Sequence, residues 1–474
     1  MAKEFEIVMG LEVHVELKTK TKIFCNCTTE FGGEPNSHCC PVCMGLPGAL
    51  PVLNEEVVNY AIKAGLATNC EITRSGRQDR KHYFYPDLPT AYQISQDDLP
   101  LCHSGHLDIE VNGKTKRIGI TRIHIEEDAG KLVHKEEGGT LVDYNRCGVP
   151  LIEIVSEPDL RSAEEVRAYL QKLRAIMMYI DVSDCKMNEG SFRCDVNLSV
   201  REKGQETFGT RAEMKNLNSF QSIMRAIEYE AQRQINVIKE GGTLVQETRR
   251  FDQNTGKTYP MRKKEDAHDY RYLPDPDLMP IVIDDKRIEK IKRELPELPD
   301  ARKEVYMKKY GLSSYDAEQL VSSKEVANYF EEGAKTAKST KTLANLLISE
   351  IFRLTGAEEF QVPFPPEYLS ELVNLIEDGT VNSSTSKKII EDMWKNPKSP
   401  KEIVKEKGLE QINNIEILSP IIDEVIAKNQ RAVSEYIDGN EKALQSIIGQ
   451  VMGRTKGKAN PQLTIKVIKD KLNK

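Results

Sequence analysis

The sequence predicts an α+β fold: a mainly antiparallel, β-rich N-terminal domain with helices, followed by a helical middle domain and a small all-α tail. Three observations carry this. Up to Ile283, short segments alternate apolar and polar residues with the period of half-buried strands. At Glu294-Leu295-Pro296-Glu297-Leu298-Pro299 that pattern breaks, and later segments space their apolar residues as helices do. A second proline-rich break, Gln361-Val362-Pro363-Phe364-Pro365-Pro366, divides the helical part, giving expected domains of 1–294, 295–362 and 363–474. A chain of 474 residues is too long for one ordinary core.

Composition narrows the class. A hydrophobic content of 39% and a charged content of 30% describe a soluble globular protein, and no apolar run approaches bilayer-spanning length. The strand pattern starts within the first few residues, leaving no room for a signal or transit peptide, so a cytoplasmic protein is expected. The ten cysteines are clustered, which favours reduced thiols and metal ligation over a disulfide framework. A net charge of −7 argues against indiscriminate nucleic-acid coating while leaving room for a local basic patch.

The first strand pattern runs Ile7 to Leu17. Ile7, Met9, Leu11, Val13, Val15 and Leu17 share one face, so Glu12, His14 and Glu16 share the other. Two carboxylates around an imidazole suit a hard divalent cation or proton transfer; a solvated strand face is the plainer reading of this segment alone. Next come Cys25-Asn26-Cys27 and Cys40-Pro41-Val42-Cys43, a knuckle spanning 25–43 with four thiols for tetrahedral zinc; Cys39 and His38 are spare candidates. A closed four-cysteine site has no open position for catalysis, so the metal is expected to be structural.

Asn54 to Cys70 has helical spacing. The loop Asp79-Arg80-Lys81-His82-Tyr83-Phe84-Tyr85-Pro86-Asp87 interleaves basic and aromatic residues, suited to gripping phosphate and stacking on a base, or to plain aromatic packing. Asn112-Gly113 signals a type I′ hairpin. Its return strand ends Arg122-Ile123-His124-Ile125-Glu126-Glu127, where alternation places Glu126 with Arg122 and His124, and Glu127 opposite, unless the strand end twists. Glu153 interrupts the apolar run Leu151-Ile152-Glu153-Ile154-Val155, and a buried carboxylate needs a partner, a metal or a proton.

A helix is expected from Ser162 to Ile180, then a strand with Val196, Leu198 and Val200 buried and Arg193, Asp195, Asn197 and Ser199 on the polar side. Arg211, Glu213 and Lys215 share a face on the next strand, and Asn218 or Ser219 caps a helix reaching Lys239 before Gly241-Gly242. In the tail, short helices are expected at 368–377, 384–395, 401–407, 418–428, 432–437 and 441–452. A basic, glycine-punctuated loop, Gly449 to Pro461, precedes the last helix and offers cations and N–H groups to a phosphate backbone, or is a solvated linker.

Five strands thus each present a carboxylate: Glu12, Glu126 or Glu127, Glu153, Asp195 and Glu213, with His14, Arg193, Arg211 and Lys215 beside them. Carboxylate oxygens with a single imidazole favour magnesium over zinc, and the basic neighbours suggest a phosphate ligand, so metal-bridged phosphoryl transfer is the expected chemistry. No standard nucleotide motif accompanies it. Gly256-Lys257-Thr258 looks like the end of a P-loop, but Phe251 stands where its first glycine is required, and no G-x-G-x-x-G is present.

Gly10-Leu11-Glu12-Val13-His14, the cysteine knuckle, Asp79 to Asp87, Glu126-Glu127-Asp128-Ala129-Gly130, Pro150 to Asp159, Arg193 to Asp195, Lys215 to Ser219 and Gly457-Lys458-Ala459-Asn460-Pro461 together resemble the B subunit of the tRNA-dependent amidotransferase, over essentially the whole chain. The resemblance implies a catalytic cradle in 1–294 and a tail domain that contacts tRNA. It implies ATP-dependent phosphorylation of the side-chain carboxylate of Glu on tRNA(Gln) or Asp on tRNA(Asn), then amidation by ammonia. The ammonia would come through an internal channel from a separate amidase subunit, and a small third subunit would join the two in a heterotrimer. The matching non-discriminating synthetase is a possible further partner, and no membrane is involved. Magnesium ligands carried over are Glu12, His14, Glu127, Glu153 and Asp195. Strand phase selects Glu126 where the resemblance selects Glu127; Glu127 is expected, with the strand twisting at its end. Lys81, Arg193, Arg211 and Lys215 are assigned to the ATP phosphates from their own placement. Cys147 and Cys194 read as buried strand thiols, consistent with a chain that is not its own glutaminase. Two rival readings are a zinc-containing tRNA-binding protein without catalysis and a self-sufficient metal-dependent hydrolase.

Overall fold

The computed structural model describes residues 4–135, 137–263, 270–355, 360–455 and 457–472; Asp269, and Lys456 of the basic loop, lie outside them. The chain divides into two compact units, 1–299 and 300–474.

In the first unit the strands are β1 (Phe5–Glu16), β2 (Glu71–Ile72), β3 (Ser75–Gly76), β4 (Asp79–His82), β5 (Tyr92–Ser95), β6 (Cys102–Val111), β7 (Lys114–Glu127), β8 (Lys131–His134), β9 (Thr140–Asp143), β10 (Pro150–Ser156), β11 (Phe192–Glu202), β12 (Ala212–Lys215), β13 (Glu247–Asp252), β14 (Lys257–Lys263), β15 (Leu273–Pro274) and β16 (Ile281–Val282). Nine of them form one sheet, in the order β14-β13-β12-β11-β1-β10-β7-β6-β2. Every neighbouring pair is antiparallel except β12 and β13, which run parallel. The β6–β7 hairpin turns at Asn112-Gly113 with both φ angles positive, as a type I′ turn requires.

Three helices, α1 (Glu55–Ala67), α2 (Ala163–Tyr179) and α3 (Phe220–Lys239), start at side-chain caps from Asn54, Ser162 and Ser219. The core joins Met9, Leu11, Val13 and Val15 to Ile123, Ile125, Ile152, Ile154, Val196 and Leu198, and to Val58, Leu170, Leu173 and Ile227 of the helices. These are the alternate positions of the central strands. The helices therefore cover one face of the sheet, and the polar residues between them line the other.

The second unit is helical. Helices at Pro366–Glu377, Ser383–Lys395, Pro400–Lys407, Ile415–Lys428 and Gln430–Ile437 lie within three residues of the expected starts, and Pro461–Leu472 closes the chain. One expectation is corrected. Gly449 and Gly453 belong to the helix Glu441–Arg454, whose Leu444, Ile447 and Val451 are buried, so packing of the apolar face outweighs their weak helix propensity. The remaining loop is tied down: the Ile412 N–H donates to Lys458 O at 2.7 Å, and Asn382 Nδ2 donates to Gly457 O at 3.2 Å. Among the described residues no helix is long and apolar enough to cross a membrane.

Candidate metal and phosphoryl-transfer site

Strand register decides which polar side chains meet. Arg193, His14, Glu153 and His124 stand directly opposite one another across β11, β1, β10 and β7. One step along the same face, Glu12 opposes Asp195, and Glu213 of β12 opposes Asn197. Two ligand-like groups result, His14/Glu126/Glu153 and Glu12/Asp195/Glu213, each with its donor atoms within 4.8 Å of one another.

In the first group Glu153 Oε2 lies 3.6 Å from His14 Nε2 and 3.4 Å from His124 Nε2, which is also 3.4 Å from Glu126 Oε1. Ser95 Oγ donates to Glu126 Oε1 at 2.7 Å, and Lys81 Nζ is 3.9 Å away, 5.1 Å from the Tyr270 ring centre. Burial would depress His124, but the carboxylates of Glu153 and Glu126 outweigh it and lift the imidazole to about 9. Burial would raise Glu153, yet the two histidines hold it well below the usual carboxylate range. In the second group Lys215 Nζ contacts Asp195 Oδ2 at 2.6 Å and Glu213 Oε1 at 2.9 Å, while Asn197 Nδ2 donates to Glu12 Oε1 at 2.9 Å. Burial, and then the charges of Glu153 and Glu213, raise Glu12 above its ordinary value. Such mutual repulsion is what a divalent cation relieves. Oxygen donors with one imidazole at this spacing fit magnesium, and the crowding of the donors supports that match.

The four thiols Cys25, Cys27, Cys40 and Cys43 also converge, each offering sulfur within 4.8 Å of the others. Four such donors match tetrahedral zinc, whose bonds to sulfur are about 2.3 Å.

A family model described as the GatB/GatE catalytic domain matches residues 7–289, and one described as the GatB domain matches residues 328–472. The chain belongs to the GatB family. Proteins named as the B subunit of aspartyl/glutamyl-tRNA(Asn/Gln) amidotransferase are similar to it along their full length. That of Caldicellulosiruptor bescii is 58% identical over 478 residues, covering 99% of this chain and 100% of the relative. Those of Carboxydothermus hydrogenoformans (55% over 479 residues, 100% of both) and Geotalea uraniireducens (54% over 477 residues, 99% and 100%) agree. The GatB chain is thus an enzyme component of the class that forms C–N bonds with glutamine as amide donor.

Within this GatB chain the structure brings together Glu12, His14, Glu153 and Asp195, as alternation predicts, but not Glu127. β7 keeps its alternation to the end, so Glu126 faces His124 and Glu153 while Glu127 points to the reverse side. There the Ile94 N–H donates to Glu127 Oε1 at 2.9 Å, and Gln93 Nε2 donates to its carbonyl at 2.8 Å. These bonds to β5 remove the reason for a twist. Burial lifts Glu127 to about 7, the Ile94 N–H notwithstanding. Its carboxyl lines a cavity of about 110 Å³ together with Cys43, Cys147, Tyr92 and Asp275.

Of the basic candidates, Lys81 and Lys215 contact the two groups, whereas Arg211 is exposed and lies just outside β12. Arg193 is turned toward Asp128, bonding Oδ2 at 2.6 Å, with Glu16 Oε1 4.0 Å away. Glu16, at first sight a spare member of the β1 polar face, therefore has a partner. Burial and the neighbouring Asp128 lift it to about 9. His124 and Glu213 are further members; both stand on predicted polar strand faces, and register shows what they meet.

Proposed function

We propose that this chain is the B subunit of a heterotrimeric, glutamine-dependent aminoacyl-tRNA amidotransferase acting in the cytoplasm in protein synthesis. It would phosphorylate the side-chain carboxylate of Glu-tRNA(Gln), Asp-tRNA(Asn) or both with ATP and then amidate it. The observation that carries the reading is the pair of oxygen-rich groups, His14/Glu126/Glu153 and Glu12/Asp195/Glu213, side by side on one open sheet face. The names of the full-length relatives supply the substrate class.

The chemistry needs this mixture of residues. A carboxylate is a poor electrophile with a poor leaving group, and phosphorylation corrects both defects before ammonia attacks. Magnesium, when bound, neutralises charge on the transferring phosphoryl oxygens. Glu12, His14, Glu126, Glu153, Asp195 and Glu213 would hold it. Lys81 and Lys215, whose ammonium groups already face these carboxylates, would hold phosphate oxygens. No glutaminase nucleophile is assigned to this chain: Cys147 and Cys194 are buried, and burial raises both thiols. Ammonia would therefore arrive from a separate amidase subunit, held in place through a small third subunit. The four-cysteine centre would bind structural zinc. The finer division into a middle domain, 295–362, and a tRNA-contacting tail, 363–474, belongs to the same reading.

The test is to purify the chain with co-expressed partners and assay Glu-tRNA(Gln) and Asp-tRNA(Asn) with ATP, magnesium and either glutamine or free ammonia. Amide formation with both nitrogen sources is expected, and Glu153→Gln should abolish it with ammonia as well as with glutamine. Full amidation by Glu153→Gln would overturn the assignment.

A further inference from the structure

Lys22 is 0% exposed, a location that an ammonium group tolerates only when its charge is offset. Its three N–H donors go to His38 O at 2.8 Å, Tyr144 O at 3.2 Å and Cys43 Sγ at 3.7 Å. Among the described residues no carboxylate oxygen forms an ion pair with it. Carbonyls solvate an ammonium but carry no charge, so of its three bonded neighbours only the cysteine cluster can supply the offsetting negative charge. Cys43 Sγ also accepts from the Cys40 N–H at 3.2 Å, and two converging donors are the surroundings of a thiolate. Four thiolates around one zinc ion leave a net charge of about −2, which a buried cation beside the cluster would reduce.

Position gives this contact a second consequence. The backbone of Lys22 is bonded to Cys27, and that of Ile23 to Gly148. Gly148 has φ +77°, and a Cβ there would sit 3.7 Å from both Cys43 Cβ and Lys22 Cδ. The ammonium therefore joins the knuckle, through His38 and Cys43, to the segment 144–149 that leads directly into β10 and Glu153.

We propose that Lys22 is the built-in counter-ion of the zinc–thiolate centre, and that through it the metal braces the start of β10 behind the phosphoryl-transfer face. The inference rests on the zinc reading above. Its test uses the full-length chain and its Lys22→Met, Lys22→Gln and Lys22→Arg variants. Zinc per chain is measured by elemental analysis, and zinc release into a chromogenic chelator is timed. Wild type should carry about one zinc. The two neutral variants should release it about 10- to 100-fold faster, the range for outer-shell partners of a metal site, while Lys22→Arg stays near wild type. Neutral variants that release zinc at the wild-type rate overturn the counter-ion and leave the zinc reading standing; a wild-type chain that takes up no zinc overturns both. Should the neutral variants fail to fold, hydrogen exchange on wild type decides. Chelating its zinc should speed exchange of the amides in 144–149 by about tenfold or more, and unchanged protection there overturns the brace.

Discussion

Replacing Glu126 by Gln keeps an oxygen to accept from Ser95 Oγ, a 2.7 Å bond, so β7 should hold and the folding cost should stay near ~1–2 kcal/mol. What is lost is the charge. Glu126 is one of three groups in its cluster, and its carboxylate faces His124 at 3.4 Å and Lys81 at 3.9 Å. With Gln there, Lys81 loses its nearest carboxylate, His124 keeps only Glu153, and the cluster is left with that one carboxylate. Removing even an outer-shell partner of a metal costs about 10- to 100-fold in affinity, so loss of a direct ligand should raise the magnesium needed for half-maximal amidation by at least about 100-fold. Glu127→Gln, whose side chain faces β5 on the reverse side, should leave that requirement near wild type. The assay is ammonia-dependent amidation titrated with magnesium, backed by manganese binding followed by electron paramagnetic resonance. The opposite outcome, manganese bound by Glu126→Gln and lost in Glu127→Gln, refutes the geometric argument and restores the twisted strand.

Four further outcomes follow from the same structure. Glu230 is 0% exposed and binds Arg233, Gln234 and Thr258, with Arg249 Nε 3.3 Å away, so Glu230→Ala leaves both guanidinium groups sharing Glu247 alone and strands the buried donors of Gln234 and Thr258, and should destabilise the first unit by about 2–3 kcal/mol in urea unfolding; a change below about 1 kcal/mol would contradict this. Burial would raise the Glu230 carboxyl, but Arg233 and Gln234 hold it below 4.5; its contribution is thus present above pH 4.5 and lost as pH falls through the lowered folded value, an acid-limb slope that Glu230→Gln should flatten. Lys215→Met removes the ammonium between Asp195 and Glu213 and should tighten manganese binding by about tenfold, after allowing for the half-exposed lysine, while slowing amidation; weaker manganese binding would show that the lysine supports the cation instead of competing with it. Gly105→Ala would put a Cβ 2.2 Å from Cys70 Sγ and 2.8 Å from Thr68 O, and this overpacking of β6 against the end of α1 should lower stability by about 1–3 kcal/mol or more in thermal unfolding, with an unchanged melting temperature as the refuting result.

Alternation along a strand is a local property, which is why Glu12, His14, Asp195 and Glu213 can each be assigned to the polar side of its own strand from sequence alone, and why Glu153 stands out in an apolar run. Helix starts are legible for the same reason: Asn54, Ser162 and Ser219 cap the helices they immediately precede. Neighbour relations are not local. Nothing in the segment around Glu12 states that β1 lies between β10 and β11, yet that order puts His14 opposite both Glu153 and Arg193. Alternation already sets Glu126 beside His124 and Glu127 opposite; what it cannot supply is Glu127's partner, the Ile94 N–H, which comes from a strand 33 residues away. Glu16 shares the β1 polar face with Glu12 and His14 by alternation, and no local pattern shows that Asp128 and Arg193 reach it from β7's end and from β11. Arg193 shows the limit most clearly. Its position on the polar face follows from alternation, and its orientation depends on a carboxylate that no periodicity can assign.

The same pairings explain how a sheet face can hold this many carboxylates before any substrate arrives. Each ligand group carries its own cation: Lys215 sits between Asp195 and Glu213, and His124 between Glu126 and Glu153, with Lys81 behind. Without them, burial of so many like charges would force several to take up protons, as the raised Glu12 already indicates. A divalent cation entering either group competes with a resident cation for the same oxygens. Whatever ammonium it displaces keeps its charge and remains anchored on the same face, free to turn toward an anion. The arrangement therefore suits a reaction in which a divalent cation and a polyphosphate arrive together, because one relieves the carboxylates and the other takes up the released lysines. A cation-only site would have no use for Lys81 and Lys215, and a phosphate-only site would have no use for the carboxylates that hold them.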